Sequence, residues 1–321
     1  MYAWQNLPKI WKILLFIALC IANYQNFISI QNAERKNMIK KIKAIAADID
    51  MTLTAKGGDL PEITKKAFDA MHENGVLIGL ATGRELNDRL YNQGAEWGLS
   101  YPMDFLIGMN GGMLWDRFHG NVWNMDLMSM DTMKEILYFM KPIVDEYEVS
   151  VNVEGGGNHA AMNIKGELFA SMKRRGWKFD DFTGDIEGFC SKPCYKILFR
   201  TTPDVEKLIR EKFTPVYGDR FQIISTFPGT VEVMDKNVTK GTGLAKIAAA
   251  NNISMDEVIA FGDNENDNPL LEAAGWGVCL ANGSDGTKAI ADDITEQDCF
   301  AGGAGIYLIE KYLKPNGLWN E

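Results

Sequence analysis

Residues 43–54 read KAIAADIDMTLT: an apolar run that ends in Asp48 and Asp50 and passes into Thr52 and Thr54. The run has the length of one strand, and only Lys43 and Asp48 interrupt its apolar character over 42–49. A short continuous apolar run is expected where a strand is covered on both faces, as in a parallel sheet. Carboxylates at the end of a buried strand are costly unless something positive meets them. The stretch therefore fixes two things to look for: a parallel sheet, and a partner for the two aspartates.

The pattern continues outward from this strand. Apolar runs at 76–81, 105–109, 257–262 and 276–280 predict further strands, and helical spacing covers 61–74, 85–97, 241–251 and 268–274. Pro61 suits a first helical position and Gly75 a stop. Strands alternating with amphipathic helices predict an α/β fold, a Rossmann-like three-layer core around a parallel sheet. The interval 126–229 breaks the rhythm. It reads as helices at 131–147 and 203–213 with strands at 149–153, 195–199 and 221–224, and a strand at 230–233 just past its end, an α+β module inserted into the core. The expected division is a core of 38–125 and 230–321 with the inserted module at 126–229.

Residues 1–37 read differently. Lys9 and Lys12 precede an apolar run at 13–22, and Asn23, Gln25 and Asn26 end it short of the roughly 20 residues that span a bilayer. One reading is an extension ahead of a translation start at Met38. The other is a signal or anchor, although no A-x-A cleavage site is evident. The first predicts a cytoplasmic protein. The second predicts export or membrane contact through this segment alone.

Bulk properties exclude several classes. The chain has 321 residues, 46% hydrophobic and 24% charged, with a net charge of −10, which is globular and too acidic for general nucleic-acid binding. Five cysteines at irregular spacing read as unpaired thiols of a reducing compartment, and the lone C-x3-C of Cys190 and Cys194 has no partner pair for a metal. His72, His119 and His159 are scattered and suggest neither a zinc site nor a Ser-His-Asp arrangement. The sequence does not indicate an oligomeric state.

In an open parallel sheet, ligands bind beyond the carboxyl ends of the strands. Those ends carry Asp48, Asp50 and Thr52, then Thr82-Gly83-Arg84, then Asn110-Gly111-Gly112, then 262–267 as GDNEND, while Lys240 opens the helix before that last strand. Asp48, Asp50, Asp263 and Asp267 gathered in a small volume would demand a cation. Oxygen ligands without His or thiolate suit Mg²⁺. Thr82 offers a hydroxyl to a phosphate oxygen, Gly83 lets the backbone approach, and Lys240 supplies a point charge at a helix N-terminus. The set fits phosphoryl transfer to a carboxylate: Asp48 attacks phosphorus and Asp50 moves the proton.

Taken singly, each segment has a plainer reading: chance D-x-D-x-T, a turn after a strand, a solvated acidic loop, a surface lysine. Their order, each at an expected strand end or helix start, carries the argument. Together D48-I-D-M-T52, A81-T-G83, Lys240 in T-K-G and G262-D-N-E-N-D267 resemble the four motifs of the haloacid dehalogenase superfamily of phosphatases. The resemblance implies Asp48 as nucleophile, Asp50 as acid/base, and Thr82 with Lys240 as the phosphate-binding pair. It also implies Asp263 and Asp267 as metal-binding acids, Asn266 as a supporting amide, and the backbone carbonyl of Asp50 as a further metal ligand.

More narrowly, the chain resembles the Cof-type sugar-phosphatase branch, whose large α/β cap lies between the second and third motifs. N110-G-G112 and C194-Y-K-I-L-F199 also look like that branch. The resemblance covers about residues 42–312, and Met51 departs from it, standing where the branch usually has Gly beside the nucleophile. Met51, Thr52, Arg84, Asn110 and Gly111 are expected near the substrate. Arg84 reads equally as a guard of the site or a helix cap. Lys173-Arg174-Arg175 with Trp177 reads as a solvated face rather than a contact for an anion.

The expected function is Mg²⁺-dependent hydrolysis of small phosphate monoesters, sugar phosphates foremost. A phosphomutase or phosphotransferase of the same superfamily is the alternative, because cap closure, not the motifs, decides whether water or a sugar hydroxyl takes the phosphoryl group. A phospho-accepting signalling or binding protein is the non-enzyme alternative. Receiver modules place their acids on different strands and carry no insertion, which argues against it.

Overall fold

The computed structural model describes residues 41–319 apart from 121, 125–126, 156–157 and 175. The expectations for residues 1–37 lie outside the described residues. No helix of the described residues is long and apolar enough to cross a membrane.

The opening stretch forms β1 (Ala44–Ala47), buried at every position. It is shorter than the expected 42–49, because the ladder stops where the chain turns at Asp48. Helix α1 (Glu62–Glu73) follows Pro61 and leads to β2 (Leu77–Ala81) and β3 (Phe105–Gly108). A hairpin not anticipated in the sequence, β4 (Met113–Asp116) and β5 (Val122–Asn124), then extends the sheet.

The chain next enters the inserted module with α2 (Met130–Glu146), β6 (Ser150–Glu154), β7 (Ala160–Met162), α3 (Gly166–Arg174) and β8 (Asp180–Asp181). It continues through β9 (Lys196–Arg200), α4 (Pro203–Tyr217), β10 (Phe221–Phe227) and β11 (Thr230–Asp235). It returns through α5 (Lys240–Ala250), β12 (Val258–Gly262), α6 (Asn268–Ala273), β13 (Trp276–Cys279), α7 (Asp285–Ile290), β14 (Asp293–Ile294) and α8 (Gly303–Leu308).

Two sheets result. The core sheet has the order β14-β13-β12-β1-β2-β3-β4-β5, parallel through β3 and antiparallel in the hairpin. β1 lies between β2 and β12, so its carboxyl end sits mid-sheet where chain from both sides converges. The second sheet, β10-β11-β9-β6-β7-β8, is antiparallel except where β7 meets β8. Val151, Val153, Ile197, Phe199, Val231 and Val233 pack from one face of it against α2 and α4, through residues such as Ile136, Met140, Ile209 and Phe213.

Two expectations are corrected. The inserted module does not end at 229: β11 pairs with both β9 and β10, and the chain leaves the second sheet only after Asp235. The break in rhythm was read one strand too early. The expected helix at 85–97 is instead two single turns, Asp88–Tyr91 and Gln93–Glu96. Asn87 caps the first, its side chain accepting from the Leu90 amide at 3.2 Å, and the chain leaves helical geometry at Asn92 between them.

Candidate active site

Each expected site residue has its local cause. The β1 ladder ends with the Asp48 amide donating to the Phe261 carbonyl at 3.0 Å, so Asp48 stands at the last paired position. Thr82 does the same for β2, its amide donating to the Ile107 carbonyl at 2.7 Å. Lys240 is the first residue of α5. Thr239 caps that helix, its hydroxyl accepting from the Thr242 amide, while the Thr242 hydroxyl accepts from the Thr239 amide.

The four segments meet. Lys240 Nζ donates to Asp48 Oδ1 and to Asp267 Oδ1, each at 2.6 Å, and its side chain is wholly inaccessible. Asp267 uses its other oxygen to tie its own loop, accepting from the amides of Asp263 at 2.9 Å and Asn264 at 3.1 Å. Thr52 donates to Asp263 Oδ1 at 2.6 Å, so its hydroxyl supports an acid rather than lining open space. Carboxylate oxygens of Asp48, Asp263 and Asp267 all lie within 4.8 Å of one another.

The electrostatics follow from this crowding. Burial, with Asp267 and Asp263 nearby, pushes the Asp48 pKa up to about 8 against the pull of Lys240. Burial and Asp267 likewise raise Asp263 to about 6, against the Thr52 hydrogen bond and Lys240. Burial alone would depress the Lys240 ammonium, but Asp267 and Asp48 outweigh it and its pKa is raised. Three carboxylates face one ammonium, so two formal negative charges are left over, the charge of one divalent cation. An all-oxygen donor set suits a hard cation.

Asp50 stands apart from the three acids. Arg84 grips it through both oxygens: Nε to Oδ2 at 3.0 Å, and Nη2 to Oδ1 and Oδ2 at 2.6 Å each. The Asp50 side chain is therefore not part of the acid cluster, and the implied contribution of Asp50 to a metal rests on its backbone carbonyl. The Arg84 amide donates to the Thr82 hydroxyl at 3.3 Å. Met51 adopts φ 68°, the left-handed conformation that Gly occupies without strain. Its carbonyl accepts from Asn282 Nδ2 at 2.7 Å. Asn266 donates to Asn110 Oδ1 at 3.3 Å, and Gly83 lies so close that a Cβ there would be 3.1 Å from the same oxygen.

Sequence reasoning missed a second charged group on the inserted sheet. Lys196 is buried and contacts Glu154 at 3.0 Å and Glu232 at 3.2 Å, and its Nζ donates to the Gly83 carbonyl at 3.2 Å. Burial opposes its charge, yet Glu154 and Glu232 raise its pKa. Arg200 donates to Asn152 Oδ1 at 2.8 Å and lies 3.6 Å from Glu154. The available signal was the alternation of K196-I-L-F-R200 and T230-V-E-V-M234, polar at every second position except Leu198 and Met234. Lys173 and Arg174 are exposed, as expected of a solvated face. Two clefts lie elsewhere: one of about 240 Å³ lined by Tyr91, Leu99 and Tyr101, and one of about 260 Å³ lined by Tyr138, Asp145 and Ile186.

A sequence model of the haloacid dehalogenase-like hydrolases matches residues 45–305. The chain belongs to that family. It is 27% identical over 258 residues to the phosphoglycolate phosphatase of Methanopyrus kandleri, covering 79% of this chain and 90% of the relative. It is 25% identical over 256 residues to the 5-amino-6-(5-phospho-D-ribitylamino)uracil phosphatase of Bacillus subtilis, covering 79% and 90%. Among solved structures, a subclass IIB sugar phosphatase superposes with TM-score 0.68 at 22% identity, covering 86% of this chain and 100% of that one. A phosphatase of the superfamily from Bacteroides thetaiotaomicron does so with TM-score 0.66 at 23% identity, covering 87% and 96%. The fold is thus the haloacid dehalogenase core with an inserted α/β cap, and the chain is a phosphatase of that family.

Proposed function

We propose that this phosphatase is a Mg²⁺-dependent phosphomonoesterase for small phosphorylated metabolites, sugar phosphates foremost, and that Asp48 carries the phosphoryl group. One observation supports this most: Asp48 is held at the end of β1 on the Lys240 ammonium, with Asp263 and Asp267 beside it. An Asp48 oxygen attacks phosphorus, the bond from phosphorus to the ester oxygen breaks, and Asp50 gives that oxygen its proton. Water then attacks the aspartyl-phosphate, Asp50 takes the water's proton, and Asp48 is freed with inorganic phosphate. Lys240 and the Thr82 hydroxyl meet the charge on the phosphoryl oxygens. A Mg²⁺ ion held by Asp48, Asp263, Asp267 and the Asp50 carbonyl would add charge neutralisation and keep Asp48 ionised.

Arg84 adds a condition. Both oxygens of Asp50 accept from its guanidinium, so Asp50 can serve as an acid only after Arg84 swings away. The phosphatase relatives support this range, since phosphoglycolate and 5-amino-6-(5-phospho-D-ribitylamino)uracil are small phosphate monoesters. The test is phosphate release from a panel of sugar, polyol and nucleotide monophosphates, with Mg²⁺ or with a chelator. Release confined to Mg²⁺ and ranked by the leaving group is expected. Equal release under chelator would remove the metal from the account, and no release from any ester would remove the hydrolase.

A further inference from the structure

We infer that Asn110 is a positioning residue that joins the phosphate loop, the metal loop and the cap sheet, with Glu232 on the cap as its partner. The kinetic side of this rests on the phosphatase reading; the structural side does not.

After β3 the chain makes a tight buried turn in which Met109 and Asn110 take φ 48° and 51°. Two successive non-glycine residues in the left-handed region are strained. Such a turn persists only if its surroundings hold it, and Asn110 is held from several sides. Its amide donates to the Thr82 carbonyl at 3.0 Å. Its Oδ1 accepts from Asn266 Nδ2 at 3.3 Å, and its Nδ2 donates to Glu232 Oε2 at 3.2 Å. The next residue, Gly111, lies so close to the Thr239 carbonyl that a Cβ would sit 2.1 Å from the oxygen. One turn therefore touches the segments that carry Thr82, Asn266 and Lys240, and it touches the cap.

The cap closes the ring. Lys196 contacts Glu232, and the same Nζ donates to the Gly83 carbonyl. From Thr82–Gly83 the polar contacts run through Asn110 to Glu232, through Lys196, and back to Gly83. Asn266 of the metal loop joins at Asn110. A left-handed φ alone would account for the choice of Asn at this position. It would not account for an amide whose two ends meet residues 122 and 156 positions away. A cap that lifts from the core takes Glu232 and Lys196 with it, so the phosphate and metal loops hold their working positions only under a seated cap.

The test moves a charge. Asn110→Asp sets a carboxylate against Glu232; adding Glu232→Gln restores one donor facing one acceptor and returns the local charge. Two quantities are read on the full chain: kcat with p-nitrophenyl phosphate at saturating Mg²⁺, and amide exchange over 82–84 and 263–267. Asn110→Asp should lower kcat and speed exchange in both segments by about tenfold or more, and the double variant should return both to within about threefold of wild type. Asn110→Gly relieves the turn but removes the side chain, and it should be impaired as well.

A double variant no better than Asn110→Asp, or Asn110→Gly at wild-type values, overturns the inference. If Asn110→Asp does not fold, recovery of folding by Glu232→Gln supports the pairing and its failure overturns it. A wild type that hydrolyses no ester, with loss and rescue intact in the exchange data, sinks the phosphatase reading and leaves this one standing.

Discussion

The two sheets of the molecule carry their charge in different places. In the core sheet, β1, β3, β12 and β13 are buried at every position and carry no acid, and the acids of the site come after the ends of β1 and β12. In the cap sheet the charge runs along the strands: Glu154, Lys196, Arg200 and Glu232, with the amide of Asn152, alternate with the apolar residues that face α2 and α4. An antiparallel sheet ordinarily gives its polar face to water. Here that face is covered: Lys196 at 3% and Glu232 at 5% exposure meet the Gly83 and Asn110 loops of the core, and Asn152 at 0% accepts from Arg200. The core sheet is a wall with chemistry at its rim; the cap sheet is a roof whose underside carries a buried charged cluster, with Leu198 and Met234 as its apolar exceptions. Selectivity should therefore reside in this face as well as in cap loops.

The largest expected effect comes from removing a buried cation at each place. Lys240→Met leaves Asp48 and Asp267 without their shared partner, and Lys196→Met does the same to Glu154 and Glu232. Each should cost about 3–5 kcal/mol of unfolding free energy, read by denaturant titration without metal. Their kinetics should part: about 100-fold or more in kcat for Lys240→Met, which removes the ammonium proposed to meet the phosphoryl group, and about tenfold for Lys196→Met. Equal kinetic losses would erase the distinction between rim and roof.

Metal and pH test the rim alone. The folded pKa of Asp48, about 8, lies above its ordinary 3.8, and that of Asp263 is about 6. A carboxyl raised on folding contributes stability that is full below its unfolded pKa and is lost as pH rises through the folded one. The metal-free protein should therefore lose stability from about pH 4 to about pH 8, and Mg²⁺ should reverse the loss. The rise in Tm on adding Mg²⁺ should grow from pH 5 to pH 8. A Mg²⁺ increment that shrinks over that range would show that the acids do not hold the ion.

The smallest effect is expected at Met51. Its left-handed backbone costs about 1–2 kcal/mol, and Gly would remove that while adding about 0.5–1 kcal/mol of unfolded-state entropy. Met51→Gly should gain up to about 1 kcal/mol in denaturant unfolding. A loss instead would mean that the Met51 side chain packs usefully at this turn.

The rim was legible in the sequence because each of its residues follows a strand that the apolar pattern marks, or, as Lys240 does, opens a helix. Asp48, Thr82, Lys240 and the 262–267 loop could be placed together from topology alone. The roof was not legible, because a polar residue at every second strand position is what solvent exposure also produces. Nothing local in T230-V-E-V-M-D235 says that Glu232 meets Asn110 rather than water. The same ambiguity set the end of the cap one strand early. Arg84 was open for a related reason: its hold on Asp50 spans 34 positions and depends on how two loops face each other.

The most direct test of the central claim, that Asp48 carries the phosphoryl group, is a rapid-quench experiment. The best ester of the panel, labelled at phosphorus, is mixed with Mg²⁺-loaded protein and quenched in acid within the first turnover. The account predicts label bound to the wild-type protein and released by hydroxylamine, as an acyl phosphate should be, and no bound label in a folded Asp48→Asn variant. Label that persists in Asp48→Asn, or its absence from a wild type in which breakdown of the intermediate limits turnover, would contradict it.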